Sequence, residues 1–118
     1  MQQTRRAQHL GRATRQAVLE LERARAHAVA RQVEVGVQFS IGTRSISIQE
    51  RGPAGWATIR TGELPPGVHV EACTAPEEVI RFTTRGTASR FGTTTLRGLG
   101  AERRAVIVNI AGRVRTDR

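Results

Sequence analysis

The chain has 118 residues, room for one hydrophobic core and one functional surface. Its formal net charge of +9 points to an anionic partner, whether nucleic acid, an anionic membrane surface or an acidic protein, and every basic residue is an arginine. An arginine fork suits bidentate phosphate contacts, although a GC-rich genome gives the same bias, and the absence of lysine excludes a P-loop lysine and Schiff-base chemistry.

The first third reads as one long helix. Leu10, Ala13, Ala17, Leu21, Ala24 and Ala28 recur at spacings of three and four, while Arg12, Arg15, Glu22 and Arg23 lie off that stripe. An alanine-rich stripe admits close approach but buries little area, so the helix needs a sheet or other helices to lie on. Glu20 with Arg23 and Glu22 with Arg25 are helix neighbours contributing tenths of a kcal/mol each. The segment before Leu10, with Arg5 and Arg6, has no such stripe and reads as a frayed end or as the continuation of a longer helix.

From Val33 the period changes to two. Val33, Val35, Val37 and Phe39 alternate with polar residues or glycine, as do Ile46 and Ile48 beyond a turn at Gly42 and Thr43, which predicts an antiparallel hairpin with one buried face. A break over residues 51–55 precedes a short strand at Trp56 to Arg60, and Pro65-Pro66-Gly67 turns the chain before Val68 and Val70. Further strands are expected at Val79 to Thr83, Thr93 to Leu96 and Ala105 to Ile110, with surface loops at Thr84 to Gly92 and Arg97 to Arg104. One helix followed only by short strands predicts an α+β fold, a helix packed on antiparallel sheet, with residues 1–32 as the helix and 33–118 as the β part of a single domain.

Little in this chain suits catalysis. Asp117 is the only aspartate, and Glu77 beside Glu78 on a strand would point apart. His9, His27 and His69 have no metal-ligand spacing with one another or with Cys73, which reads as a small buried apolar residue. The expectation is therefore no enzyme, no metal and no cofactor. No run approaches the ~18 apolar residues of a membrane helix, nor does the N-terminus carry a signal-peptide core.

The chain's end carries the strongest functional signal. If Val106, Val108 and Ile110 face the core, alternation places Val114 with them and turns Arg113 and Arg115 outward, side by side at a Cα spacing of roughly 6.5–7 Å. Gly112 would permit a positive φ or a bulge that aims the pair. The alternative is an ordinary solvated arginine pair on an edge strand. Arg103 and Arg104 would support the pair, and Arg90, Arg97 and Arg118 would join if their loops fold alongside. Trp56, Phe39 and Phe82 lie in strand patterns and are expected in the core, with Phe91 as a plug; any of the four exposed beside arginines would shift the reading toward single strands.

The helix end from Leu21 to Arg31 running directly into an alternating strand resembles the soluble part of GspH/FimT-type minor pilins and pseudopilins. So do the Trp56 strand, the Leu64-Pro65-Pro66-Gly67-Val68 turn, Ile80-Arg81-Phe82 with the following Gly86, and the terminal Gly112-Arg113-Val114-Arg115. The resemblance implies a type IV pilin-like α+β fold. It also implies an inner-membrane anchor through an apolar N-terminal helix half and a leader, both missing here, so that the sequence reads as an excised soluble domain. Other pilin subunits would be its partners, first at the inner membrane and periplasm, then in a pilus or pseudopilus at the cell surface. In the FimT-like branch a C-terminal Gly-Arg-x-Arg element binds DNA for natural transformation, and Gly112, Arg113, Val114 and Arg115 match it. In the GspH-like branch the subunit serves a type II secretion pseudopilus without nucleic acid. The charge favours double-stranded DNA held non-specifically by its phosphates.

Overall fold

In the computed structural model, which describes residues 2–117 and side chains from His9 onward, the apolar stripe becomes the inner face of one helix. α1 (Gln2–Arg31) buries Leu10, Ala13, Ala17, Leu21, Ala24 and Ala28, all six residues of the expected stripe. Each leucine contributes about 1.5–3 kcal/mol by burial, while the alanines let strands approach the helix closely. Arg5 and Arg6 fall on the helical backbone, and their side chains, like Met1 and Arg118, lie outside the described residues.

The helix packs against two antiparallel sheets. The chain forms β1 (Val35–Phe39), β2 (Ser45–Gly52), β3 (Gly55–Glu63), β4 (His69–Cys73), β5 (Val79–Phe82), β6 (Ala88–Arg90), β7 (Gly92–Arg97), β8 (Arg103–Val108) and β9 (Val114–Asp117). A five-stranded sheet has the order β3-β2-β1-β5-β6 and a four-stranded sheet the order β4-β7-β8-β9. The expected first hairpin forms with Val37 opposite Ile48 and Phe39 opposite Ile46, so their apolar faces coincide. Val35, Val37, Phe39, Ile46, Ile80 and Phe82 from one sheet meet Val70, Leu96, Val106 and Val108 from the other around α1. Cys73 packs against this core half-buried, its sulfur accepting from the Thr94 hydroxyl at 3.4 Å.

Four sequence expectations need correction. β6 lies inside the stretch expected to be loop, because Ala88 tucks into the core beside Phe82 while its neighbours are polar and give no alternation to read. The last strand does not run through to Ile110. It stops at Val108, and Asn109 to Gly112 turn the chain back so that β9 pairs with β8, Val114 opposite Val108 and Arg115 opposite Ile107. Ile110 therefore sits on the turn, 66% exposed. Trp56 and Phe91, expected inside, are 37% and 43% exposed: β3 is an edge strand with solvent on its outer face, and Phe91 lies between two strands of different sheets. Glu77 and Glu78 form a short helical turn with Pro76, both at positive φ, instead of standing on a strand.

Candidate nucleic-acid interface

Asn109 builds the turn that presents the arginines. Its N–H donates to the Arg113 carbonyl (3.1 Å), its carbonyl accepts from the Gly112 N–H (2.9 Å), and its side-chain oxygen accepts from the Arg113 N–H (3.0 Å). Arg113 is thus fixed at the mouth of the β8–β9 hairpin by one asparagine, a side chain that alternation in the sequence passes over. Gly112 has φ +83° and is buried, and a Cβ there would collide with the carbonyl oxygen of Gly86 on the β5–β6 turn. The same carbonyl accepts from Arg25 Nε of α1 at 2.7 Å, and the Ala88 N–H donates to the Ile110 carbonyl at 2.9 Å. Helix and both sheets meet at this corner, which holds the hairpin tip rigidly.

Arg113 and Arg115 are both exposed, and neither has a carboxylate partner among the described residues. Val114 packs toward the core and Arg115 turns outward, as alternation requires. Arg85, on the turn that touches Gly112 through Gly86, is also exposed and without an acidic partner, so it joins the pair. Sequence reading missed it because the adjacency of the two turns is tertiary; the signal available was a second glycine, Gly86, following an arginine.

The two supporting arginines do not converge on the site. Successive residues of a strand face opposite ways, and Val106 and Val108 are buried, so Arg104 lies on the helix-facing side and is half-buried. Arg103 does face outward with Arg115, but about four residues along the sheet, roughly 13 Å at strand rise. Its Nε donates to Glu71 Oε2 at 2.7 Å, and Arg97 donates to the other oxygen at 3.4 Å. The hydrogen bond from Arg103 is the main cause holding the Glu71 carboxyl below the usual carboxylate range, and it raises the Arg103 guanidinium in turn. Arg90 pairs with Glu77 at 3.4 Å on the other sheet, and Arg118 lies outside the described residues. Arg23, Arg44, Arg51 and Arg60 are likewise ion-paired, to Glu20, Glu63, Glu34 and Glu20.

Behind the hairpin, a trough of about 520 Å³ runs between α1 and the start of β9, lined by Ala26, Val29, Ala30, Gly112 and Val114 with Glu22 and Arg25 at its margin. A second groove on the same helix is lined by Arg15, Val18, Leu19, Glu22 and Thr116. Among the described residues no group of three or more His, Cys, Asp or Glu side chains could hold a metal, and no helix is long and apolar enough to cross a membrane.

Comparison with known proteins gives the same architecture. The structure of the minor pseudopilin EpsH from the Type 2 Secretion System of Vibrio cholerae superposes with a TM-score of 0.77 at 15% identity, covering 92% of this chain and 95% of that one. The type IV minor pilin FimU of Pseudomonas aeruginosa gives 0.73 at 19% identity, covering 95% and 90%. A search of curated proteins finds no match. The family model for GspH, described as type II transport protein GspH, matches residues 13–112, from the helix stripe to the glycine of the terminal turn. The chain belongs to the GspH family and is a minor pilin or pseudopilin of the GspH/FimT type.

Proposed function

We propose that this domain is a non-enzymatic filament subunit that captures double-stranded DNA without sequence preference for uptake in natural transformation, through phosphate contacts from Arg113, Arg115 and Arg85. The observation that carries this reading is the contrast among the arginines. Seven of those described are neutralised by glutamates; of those with no acidic partner among the described residues, Arg12, Arg15 and Arg31 are spread along α1, whereas Arg113, Arg115 and Arg85 stand in solvent around one rigid corner at the β8–β9 tip. An unpaired guanidinium gives up no ion pair when a phosphate arrives, and its fork fits two phosphate oxygens. Three contacts on one small domain imply weak, micromolar-scale binding, strengthened by many copies along a filament.

The test is fluorescence anisotropy of a short labelled duplex at two salt concentrations, comparing wild type with Arg113→Gln/Arg115→Gln. Wild-type affinity should fall with salt at a log–log slope of about −0.9 per phosphate engaged, and the double variant should lose most of it. Equal binding by both proteins would remove these arginines from the site.

The second reading is a structural pseudopilin of a type II secretion system, or a pilus-priming subunit, that does not bind DNA. The apolar grooves beside α1, with Val29 and Leu19 exposed in them, favour burial against another subunit. Absence of duplex binding even at low salt would select it. In either reading the partners are other pilins, and the site of action is the periplasm and a filament built from it.

A further inference from the structure

The outer face of the five-stranded sheet carries a second arrangement of aromatic and guanidinium groups, built on strands other than β8 and β9. Alternation and register place Gly36, Gln38, Ser47, Gln49, Trp56, Thr58, Arg81 and Arg90 on this face, with Gly36 opposite both Gln49 and Arg81, and Arg90 opposite Arg81. The Trp56 indole reaches across β2 to β1, where its Cζ3 lies over Gly36, 3.8 Å from where a Cβ would stand. Arg81 stacks its guanidinium on the ring, 4.5 Å from the centroid. Stacking uses the face of the guanidinium and leaves its in-plane donors available. Among the described residues Arg81 has no carboxylate at ion-pair distance; its Nε is buried without a hydrogen-bond partner, which leaves the terminal nitrogens to meet an anion.

The neighbours reinforce the anionic demand. Arg90 lies one strand away, and its only acidic partner, Glu77, is 80% exposed at 3.4 Å, a surface pair that is readily exchanged. Burial lowers the Arg81 pKa and the positive charge of Arg90 lowers it further, with Glu34 partly offsetting them, so an anion arriving between Arg81 and Arg90 relieves a repulsion between the two guanidiniums. Besides the Arg51–Glu34 ion pair, with Arg51 opposite Trp56, the face is rich in amides and hydroxyls, from Gln38, Gln49, Ser47 and Thr58, which donate and accept hydrogen bonds as base edges do.

We propose that this face binds single-stranded nucleic acid, with a base stacked against the exposed part of Trp56 and the flanking phosphates held by Arg81 and Arg90. A duplex keeps its bases stacked inside and cannot offer one to the indole, whereas a single strand offers one at every step. This site uses none of the residues assigned to duplex capture, so either can be absent without the other.

Trp56 is the only tryptophan and there is no tyrosine, so intrinsic fluorescence reports on this face alone. The 118-residue chain carrying Arg113→Gln/Arg115→Gln is titrated at low salt with a short oligothymidylate, a duplex of the same length, polyphosphate and polyglutamate. Saturable quenching by the oligothymidylate is expected, with affinity about tenfold lower in both Arg81→Gln and Arg90→Gln and, by anisotropy of a labelled strand, in Trp56→Leu. Circular dichroism of each variant checks its fold, and Arg90→Gln, on a short edge strand, decides the matter if Arg81→Gln does not fold. No quenching, or quenching unchanged by the arginine substitutions, overturns the proposal. So does equal quenching by polyphosphate or the duplex, which would make the face a simple anion site, or by polyglutamate, which would make it a surface for an acidic protein.

Discussion

Replacing Gly112 by alanine separates two roles that the Gly-Arg-x-Arg element combines. At φ +83° an L-residue costs about 1–2 kcal/mol relative to glycine. The added Cβ would also meet the Gly86 carbonyl carbon at 3.1 Å and Arg25 Nε at 3.3 Å, besides colliding with the Gly86 oxygen. Backbone cannot yield as a flexible side chain does, so the turns must separate, weakening the Ala88–Ile110 hydrogen bond and the Arg25–Gly86 bond by about 1 kcal/mol each or somewhat more. The total is about 3–4 kcal/mol, which for a domain of this size lowers Tm by about 12–16 °C. Gly42→Ala is the control, because Gly42 has the same φ, +82°, and nothing within 4 Å of the added atom. It should cost only the conformational part, a fall of about 4–8 °C. Thermal unfolding followed by circular dichroism, with duplex anisotropy on the same samples, measures both effects. Gly112→Ala should weaken DNA binding although no charge is lost. Equal melting temperatures for the two variants would refute the docking of the two turns as the reason for this glycine.

Arg85→Gln should weaken duplex binding about two- to fivefold and reduce the salt slope by about 1, whereas Arg104→Gln, on the opposite face, should leave anisotropy titrations unchanged. Glu20 is 3% exposed and held by Arg60 at 2.8 Å, with Arg23 only at 3.7 Å. Arg60→Ala should therefore destabilise by about 1–3 kcal/mol in urea unfolding, while Arg44→Ala, which breaks the exposed pair with Glu63, should cost about 0.5 kcal/mol. Glu71 has a depressed carboxyl pKa, so its stabilisation is present above the ordinary carboxylate range and is lost as pH falls through the lowered value. Glu71→Gln should be less stable than wild type near neutral pH, with the difference shrinking on acidification. The same substitution releases Arg97 and Arg103 and should steepen the salt dependence of duplex binding by up to about 1 per freed contact.

The sequence by itself determined the elements whose apolar faces repeat. The stripe from Leu10 to Ala28 and the alternation of Val35, Val37 and Phe39 with Ile46 and Ile48 correspond to the buried faces of α1, β1 and β2, because periodicity is a local property that burial only fills. It also determined that Arg113 and Arg115 are solvent-facing, since Val114 between them is apolar. Tertiary structure decided what covers each face and which charges cancel. Trp56 lies on a strand with an apolar-looking pattern, but β3 is at a sheet edge, and the Arg81 guanidinium that stacks on the ring leaves it 37% exposed. The turn at Asn109 closes a hairpin where alternation alone continues a strand. Arg103 finds Glu71 at a separation of 32 residues, and Arg113 approaches Arg85 through two glycines that touch only in the folded chain. Pairing of charges depends on distances across sheets, and those follow from strand order, which no local pattern encodes.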